Sequence, residues 1–247
     1  MKKIAIIILV LVLAVAGYMW FGYANIYNRI AAGGLKTVDT QYAYTINPSA
    51  SEVTVEYAAL GDSLTAGVGT DDYKESYPYL LAEDLAKDKG ITLKDFSLLG
   101  ARTEDLIDKN LLVSAVAAKP DIVTLLIGVN DVRENISEKE FKNNYEYIVD
   151  GLANNTNAKI YLINIPFVGS NTLYLPPYDA YFKNKTIAFN KIIKDIAEEH
   201  KFEYIDIATS TEQIFKKDGI YYSVDSLHPS KAGYKIIEQI IYADINN

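Results

Sequence analysis

The 247-residue chain contains no cysteine and only two histidines, His200 and His228. Without cysteine there is no disulfide, no thiolate metal site, no cysteine nucleophile and no lipidated N-terminal cysteine. With two histidines and scattered carboxylates, no cluster has metal-ligand spacing, so neither a metal nor another cofactor is expected. Cations are also in deficit: 24 Lys and Arg stand against 32 Asp and Glu, a net charge of -8. A surface field of that sign disfavours nucleic acid and anionic lipid headgroups as partners. No internal repeat and no low-complexity tract occurs.

Charge is missing altogether from one stretch. Lys2 and Lys3 are followed by Ile4 to Phe21, which carries no charged side chain. Eighteen residues of helix at about 1.5 Å each span roughly 27 Å, close to the hydrocarbon core of a bilayer. A cleaved signal peptide is one reading, because Gly22-Tyr23-Ala24 resembles a small-x-small cleavage site. The apolar run is longer than a usual signal core, and Tyr18, Trp20 and Tyr23 cluster where an aromatic belt would lie, which favours an uncleaved anchor. Residues 1–24 are therefore expected to be a signal-anchor helix. The two lysines would hold the N-terminus in the cytoplasm and place the rest outside. Helix could continue to Ala32 before Gly33-Gly34, and residues 25–52 as a whole read as a juxtamembrane spacer.

From Val53 the pattern becomes regular. Apolar or β-branched runs at 53–60, 91–99, 122–127, 159–165 and 202–207 alternate with helical periodicities at 77–89, 103–118, 137–152, 178–200 and 230–245. Thr103 is expected to cap the second of these helices, and Ser137 with Glu140 forms a capping box for the third. Ile122 to Ile127 is continuously apolar but for Thr124, as in a strand buried on both faces. Such alternation predicts an α/β domain over 53–247 with a mostly five-stranded parallel sheet, and right-handed crossovers place the strand-to-helix loops at one edge.

Four short segments fall at that edge: Gly61-Asp62-Ser63-Leu64, Gly100-Ala101-Arg102-Thr103, Gly128-Val129-Asn130-Asp131 and Asp225-Ser226-Leu227-His228-Pro229. Their residue types are complementary. A serine hydroxyl needs a base to take its proton. His200 ends a helix among charged residues, whereas His228 lies in a loop three residues after Asp225, a spacing that lets the carboxylate reach Nδ1 and leaves Nε2 for Ser63. The same residues could also be no more than a capped helix start. For a developing oxyanion, the candidate donors are the backbone N–H groups of Ser63 and Gly100 and the side-chain amide of Asn130.

Taken together, the Gly-Asp-Ser-Leu, Gly-x-Asn-Asp and Asp-x-x-His-Pro elements resemble those of the SGNH hydrolase superfamily, the GDSL-type lipases and esterases, across roughly residues 54–245. The look is that of bacterial lysophospholipase-like acylhydrolases. The resemblance implies a flavodoxin-like three-layer α/β/α fold, Ser63 as nucleophile, His228 with Asp225 as base, and Ser63, Gly100 and Asn130 as oxyanion donors. The second block departs from the frequent Asn-x-Gly-x-x-Gly: here it reads Asp95-Phe96-Ser97-Leu98-Leu99-Gly100, which keeps the glycine. Gly61 to Thr65 does not match Gly-x-Ser-x-Gly, so the strained elbow of the α/β-hydrolase fold is not expected.

The segment Pro166 to Tyr178 is long, apolar and aromatic. Phe167, Tyr174 and Leu175 are the candidates for an acyl-binding wall, with packing onto the domain as the plainer reading. A lipid or lysophospholipid ester is the expected substrate. The 20 tyrosines also suit sugars, which keeps a polysaccharide O-acetylesterase open, and a silent membrane-tethered binding module is the remaining alternative. Mass spectrometry of the N-terminus tests the anchor: retention of the first residues is expected, and a mature N-terminus at Asn25 would overturn it.

Overall fold

The structure is a computed structural model that describes residues 2–33, 42–47, 54–87, 89–167, 169–170, 172–217 and 219–246. A single helix, α1 (Lys2–Gly33), carries the apolar run and continues one residue past Ala32. Its Ile, Leu and Val side chains from Ile4 to Leu13 are all more than half exposed, consistent with an apolar cylinder that finds no partner there among the described residues.

The domain is built on a six-stranded sheet in the order β1-β3-β2-β4-β5-β6. Its strands are β1 (Ala43–Ile46), β2 (Thr54–Gly61), β3 (Gly90–Ser97), β4 (Ile122–Leu126), β5 (Lys159–Ile163) and β6 (Glu203–Ile205). Five of them are parallel, and their order matches the flavodoxin-like arrangement in which the first strand lies inside the second. Every residue of β4 is buried, as its apolar run requires. The sixth strand differs from expectation. Ala43–Ile46, within the stretch read as a spacer, pairs antiparallel with β3 and covers that edge of the sheet. Residues 25–33 of that stretch continue α1, and 34–41 and 48–52 lie outside the described residues.

The helices are α2 (Tyr77–Leu85), α3 (Thr103–Asp108), α4 (Leu111–Ala117), α5 (Val129–Arg133), α6 (Glu138–Asn155), α7 (Tyr178–His200), α8 (Ile207–Lys217) and α9 (Lys231–Ile245). One group packs α2 and α8 on α9, and another packs α3, α4 and α7 on α6, so the sheet is covered on both faces. The helix expected over 103–118 is broken in two. Asn110 takes a left-handed conformation, φ 58°, which an α-helix cannot continue through but asparagine tolerates. Its cap also differs: Arg102 is the N-cap, and Thr103 is the first helical residue. Ser137 caps α6 as expected, accepting from Glu140 N at 3.2 Å.

Much of the tyrosine is core. Tyr57, Tyr73, Tyr77, Tyr145, Tyr161 and Tyr234 are all fully or almost fully buried. Two of their hydroxyls bond to the turn that follows β2: Tyr77 pairs with Thr65 Oγ1 at 3.2 Å, and Tyr234 donates to Val68 O at 2.8 Å. A buried tyrosine combines a large apolar area with a hydroxyl that must find a partner. Here those partners brace the loop bearing Ser63.

Candidate active site

All five parallel strands end at one edge of the sheet, and the four segments singled out in the sequence meet there. The first turn is wound by its own backbone: Thr65 N and Ala66 N both donate to Asp62 O, Leu64 N donates to Asp62 Oδ1, and Val68 N donates to Ser63 O. The three strand-end loops are then tied together. Leu98 N donates to Gly61 O at 3.1 Å. Asn130 Nδ2 donates to Ala101 O at 2.9 Å. Asp131 accepts from Thr103 N and, at 2.6 Å, from Thr103 Oγ1.

The fourth segment closes over the first. Gly69 lies against the His228-Pro229 backbone so closely that a Cβ there would sit 2.3 Å from Pro229 O, and its φ of 104° is one that side chains rarely adopt. Ser230 caps α9, and Ser223 N donates to His228 O at 2.9 Å, so the loop is held at both ends. Within it, Asp225 Oδ1 accepts from Ser223 Oγ at 2.5 Å and from the amides of Leu227 and His228, each at 2.9 Å. Its Oδ2 faces His228 Nδ1 at 2.6 Å, and His228 Nε2 lies 2.8 Å from Ser63 Oγ. Ser63, Asp225 and His228 are all buried.

Two carboxyls beside this chain are driven in opposite directions. Burial alone would raise the Asp225 pKa, but the hydrogen bond and charge of His228, with the Ser223 hydroxyl and Leu227 amide, outweigh it and hold the group well below the usual carboxylate range. Asp62 is buried with the Leu64 amide and its own as its hydrogen-bond donors, and its Oδ2 has no partner among the described residues. Burial, aided by the nearby Asp131 charge, pushes it up to about 7, against a weaker pull from Arg133.

Hydrogen-bond donors converge on the same edge. Among the described residues, no hydrogen bond uses the backbone N–H of Ser63 or of Gly100, and the Asn130 amide has one N–H left after Ala101. Gly100 has φ 74° and nothing within 4 Å of where a Cβ would stand, so its backbone can be approached closely. Two contacts were not anticipated from the sequence. Arg133 Nη1 donates to Asn130 Oδ1 at 3.2 Å and fixes which way that amide points, and Ser223 completes the shell of Asp225. Neither residue lies in a recognisable block. Of the expected acyl wall, Phe167 and Tyr174 line a cavity of about 320 Å³ together with Val129, Ile165, Ser170 and Tyr222, whereas Leu175 is only partly buried and lies outside it.

A buried hydroxyl hydrogen-bonded to an imidazole, at the carboxyl edge of a flavodoxin-like sheet, defines an α/β protein equipped for acyl transfer. The chain belongs to the GDSL-like lipase/acylhydrolase family, whose model matches residues 59–236, and it is a carboxylic ester hydrolase. It is 26% identical to the spore germination lipase LipC of Bacillus licheniformis, over 77% of this chain and 96% of that protein. It is 26% identical to an acetylxylan esterase of Geobacillus stearothermophilus, over 64% of this chain and 70% of that protein. A solved lipase/acylhydrolase from Enterococcus faecalis has the same fold, with a TM-score of 0.63 and 23% identity over 77% of this chain and 95% of its own.

The two carboxyl environments have opposite consequences for stability. Asp62 has a folded pKa above its unfolded one, so its contribution is full at low pH and is lost as pH rises towards about 7. Asp225 contributes above the ordinary carboxylate range and loses that contribution only in stronger acid. In detergent, urea unfolding at about pH 5 and about pH 8 should show the full chain less stable at the higher pH, with the difference roughly 2 kcal/mol smaller in Asp62→Asn. An unchanged difference in that variant would contradict the assigned environment of Asp62.

Proposed function

We propose that the protein is a membrane-anchored, extracytoplasmic serine acylhydrolase acting on lipid or lysophospholipid esters. The observation that carries this reading is the continuous hydrogen-bonded chain from Ser63 Oγ through His228 to Asp225. Ser63 Oγ attacks the ester carbonyl carbon while His228 Nε2 takes the hydroxyl proton. Asp225 keeps Nδ1 protonated and offsets the charge of the imidazolium. The carbonyl oxygen becomes an oxyanion that the N–H groups of Ser63, Gly100 and Asn130 receive. On collapse the C–O bond to the alcohol breaks and His228 returns the proton to it. Water then cleaves the acyl-serine by the same route, releasing the carboxylic acid and restoring the hydroxyl.

The lipid reading draws support from Val129, Ile165, Phe167 and Tyr174 on the wall of a cavity that Arg133, Asp179, Lys183 and Glu212 also line, and from the apolar helix that would keep the domain beside a bilayer. The second reading, a cell-surface polysaccharide O-acetylesterase, draws support from the equal identity to an acetylxylan esterase. The burial of so many tyrosines leaves fewer rings for a sugar-binding surface.

Hydrolysis of a series of p-nitrophenyl esters by the wild-type chain and by Ser63→Ala tests both levels. Longer acyl chains should be preferred to acetate, and Ser63→Ala should lose roughly 10⁴-fold or more in kcat with unchanged folding. A steep preference for acetate would sink the lipid reading, and full activity in Ser63→Ala would falsify the mechanism.

A further inference from the structure

The far end of α1 does not stand clear of the domain. Asn25 Nδ2 donates to Thr172 O and Leu173 O at 2.9 and 3.0 Å. Arg29 Nη1 donates to Ser226 Oγ at 3.1 Å, two residues before His228, and to Thr172 Oγ1 at 3.2 Å. Tyr178 OH donates to Met19 O at 3.1 Å, across a helix surface where Gly22 leaves room for the Tyr178 ring. Ile26 is buried in a small apolar cluster with Leu173, Tyr174 and Leu227. Loops of the candidate site thus form the seat of the helix.

Between α1 and that seat lies a cavity of about 550 Å³, within the roughly 300–1,000 Å³ usual for ligand sites. Met19, Tyr23, Ile26 and Tyr27 wall it on the helix side, and Tyr178 and Phe182 face them from the domain. Its polar end is Arg133 with Glu134. Arg133 is the residue bonded to Asn130 Oδ1, so that end is tied to a proposed oxyanion donor. Arg133, Tyr174 and Phe182 also line the smaller cavity, which makes the two adjoin. With the apolar run starting at Ile4, about 27 Å of helix ends near Phe21, so the cavity straddles the level where a bilayer's acyl region gives way to its headgroups.

We infer that this cavity is the entry site for the acyl chain of a membrane-resident ester, with α1 forming one of its walls. The chain enters from the bilayer at the Met19–Ile26 end, and the ester group lies towards Arg133 and Asn130. The anchor would then be part of the substrate site as well as a tether. The inference rests on the acylhydrolase reading for what happens to the ester, but not for what occupies the cavity.

Photocrosslinking separates the two. The full chain with Ser63→Ala, in phosphatidylcholine vesicles, is irradiated with a lysophosphatidylcholine carrying a diazirine at the end of its acyl chain. Adducts are expected on Tyr23, Tyr178 and Phe182, and Met19→Trp, which narrows the cavity at its bilayer end, should reduce them about ten-fold. In the otherwise wild-type chain, the same substitution should lower the ratio of long-chain to acetyl kcat/KM by about ten-fold. Adducts confined to the lipid-facing stretch before Met19, or unaffected by Met19→Trp, would overturn the inference. Labelling of the cavity by a wild-type chain that hydrolyses no long-chain ester would uphold the site and fault the acylhydrolase reading instead.

Discussion

The hydrogen bond between His228 Nε2 and Ser63 Oγ joins residues 165 positions apart, and most of the site's architecture serves to hold its two ends. Ser63 is fixed from below by the end of β2, by the turn wound on Asp62 and by the tyrosine hydroxyls under it. His228 is fixed from above by the cap of α9 and by the carboxylate of Asp225. The two loops touch where Gly69 meets Pro229, and a side chain there would push them apart. A 2.8 Å contact survives in a protein interior only when both partners are prevented from relaxing away from it, which is the work of these supports.

Electrostatics at the site follows from the number of donors each carboxyl receives. Asp225 and Asp62 are both buried, yet one is held ionised and the other is pushed towards neutrality. Asp225 has four donors: the imidazole, a hydroxyl and two amides. Asp62 has an oxygen with none among the described residues. Desolvation acts on both, and hydrogen bonding to the charged form decides the outcome. An ionised Asp225 beside His228 suits an imidazole that must become positively charged, while Asp62, pushed up to about 7, carries less negative charge next to Ser63 below that pH than an ordinary carboxylate would.

Much of this was legible in residue order because it depends on local chemistry. The buried β4 was readable as an apolar run, and the meeting of the four segments followed from strand ends in a parallel sheet. What was not legible depends on distant partners. β1 is four residues of alternating exposure, Ala-Tyr-Thr-Ile, whose strand character comes from pairing with β3. The break at Asn110 interrupts a run whose periodicity is helical on both sides. α8 buries Ile207, Ala208, Thr211 and Phe215 at helical spacing, a signal overshadowed by the short strand before it. Arg133 reaches Asn130, Ser223 reaches Asp225, and Arg29 reaches Ser226 across 197 positions, and no local pattern marks these side chains.

In the proposed mechanism one particular serine, Ser63, becomes acylated. Incubating the full chain with a fluorophosphonate, which phosphonylates an activated serine hydroxyl, and mapping the adduct by peptide mass spectrometry tests it most directly. A single adduct on Ser63 that appears in step with loss of esterase activity is expected. An adduct on a different serine, or activity lost with Ser63 unmodified, would contradict it.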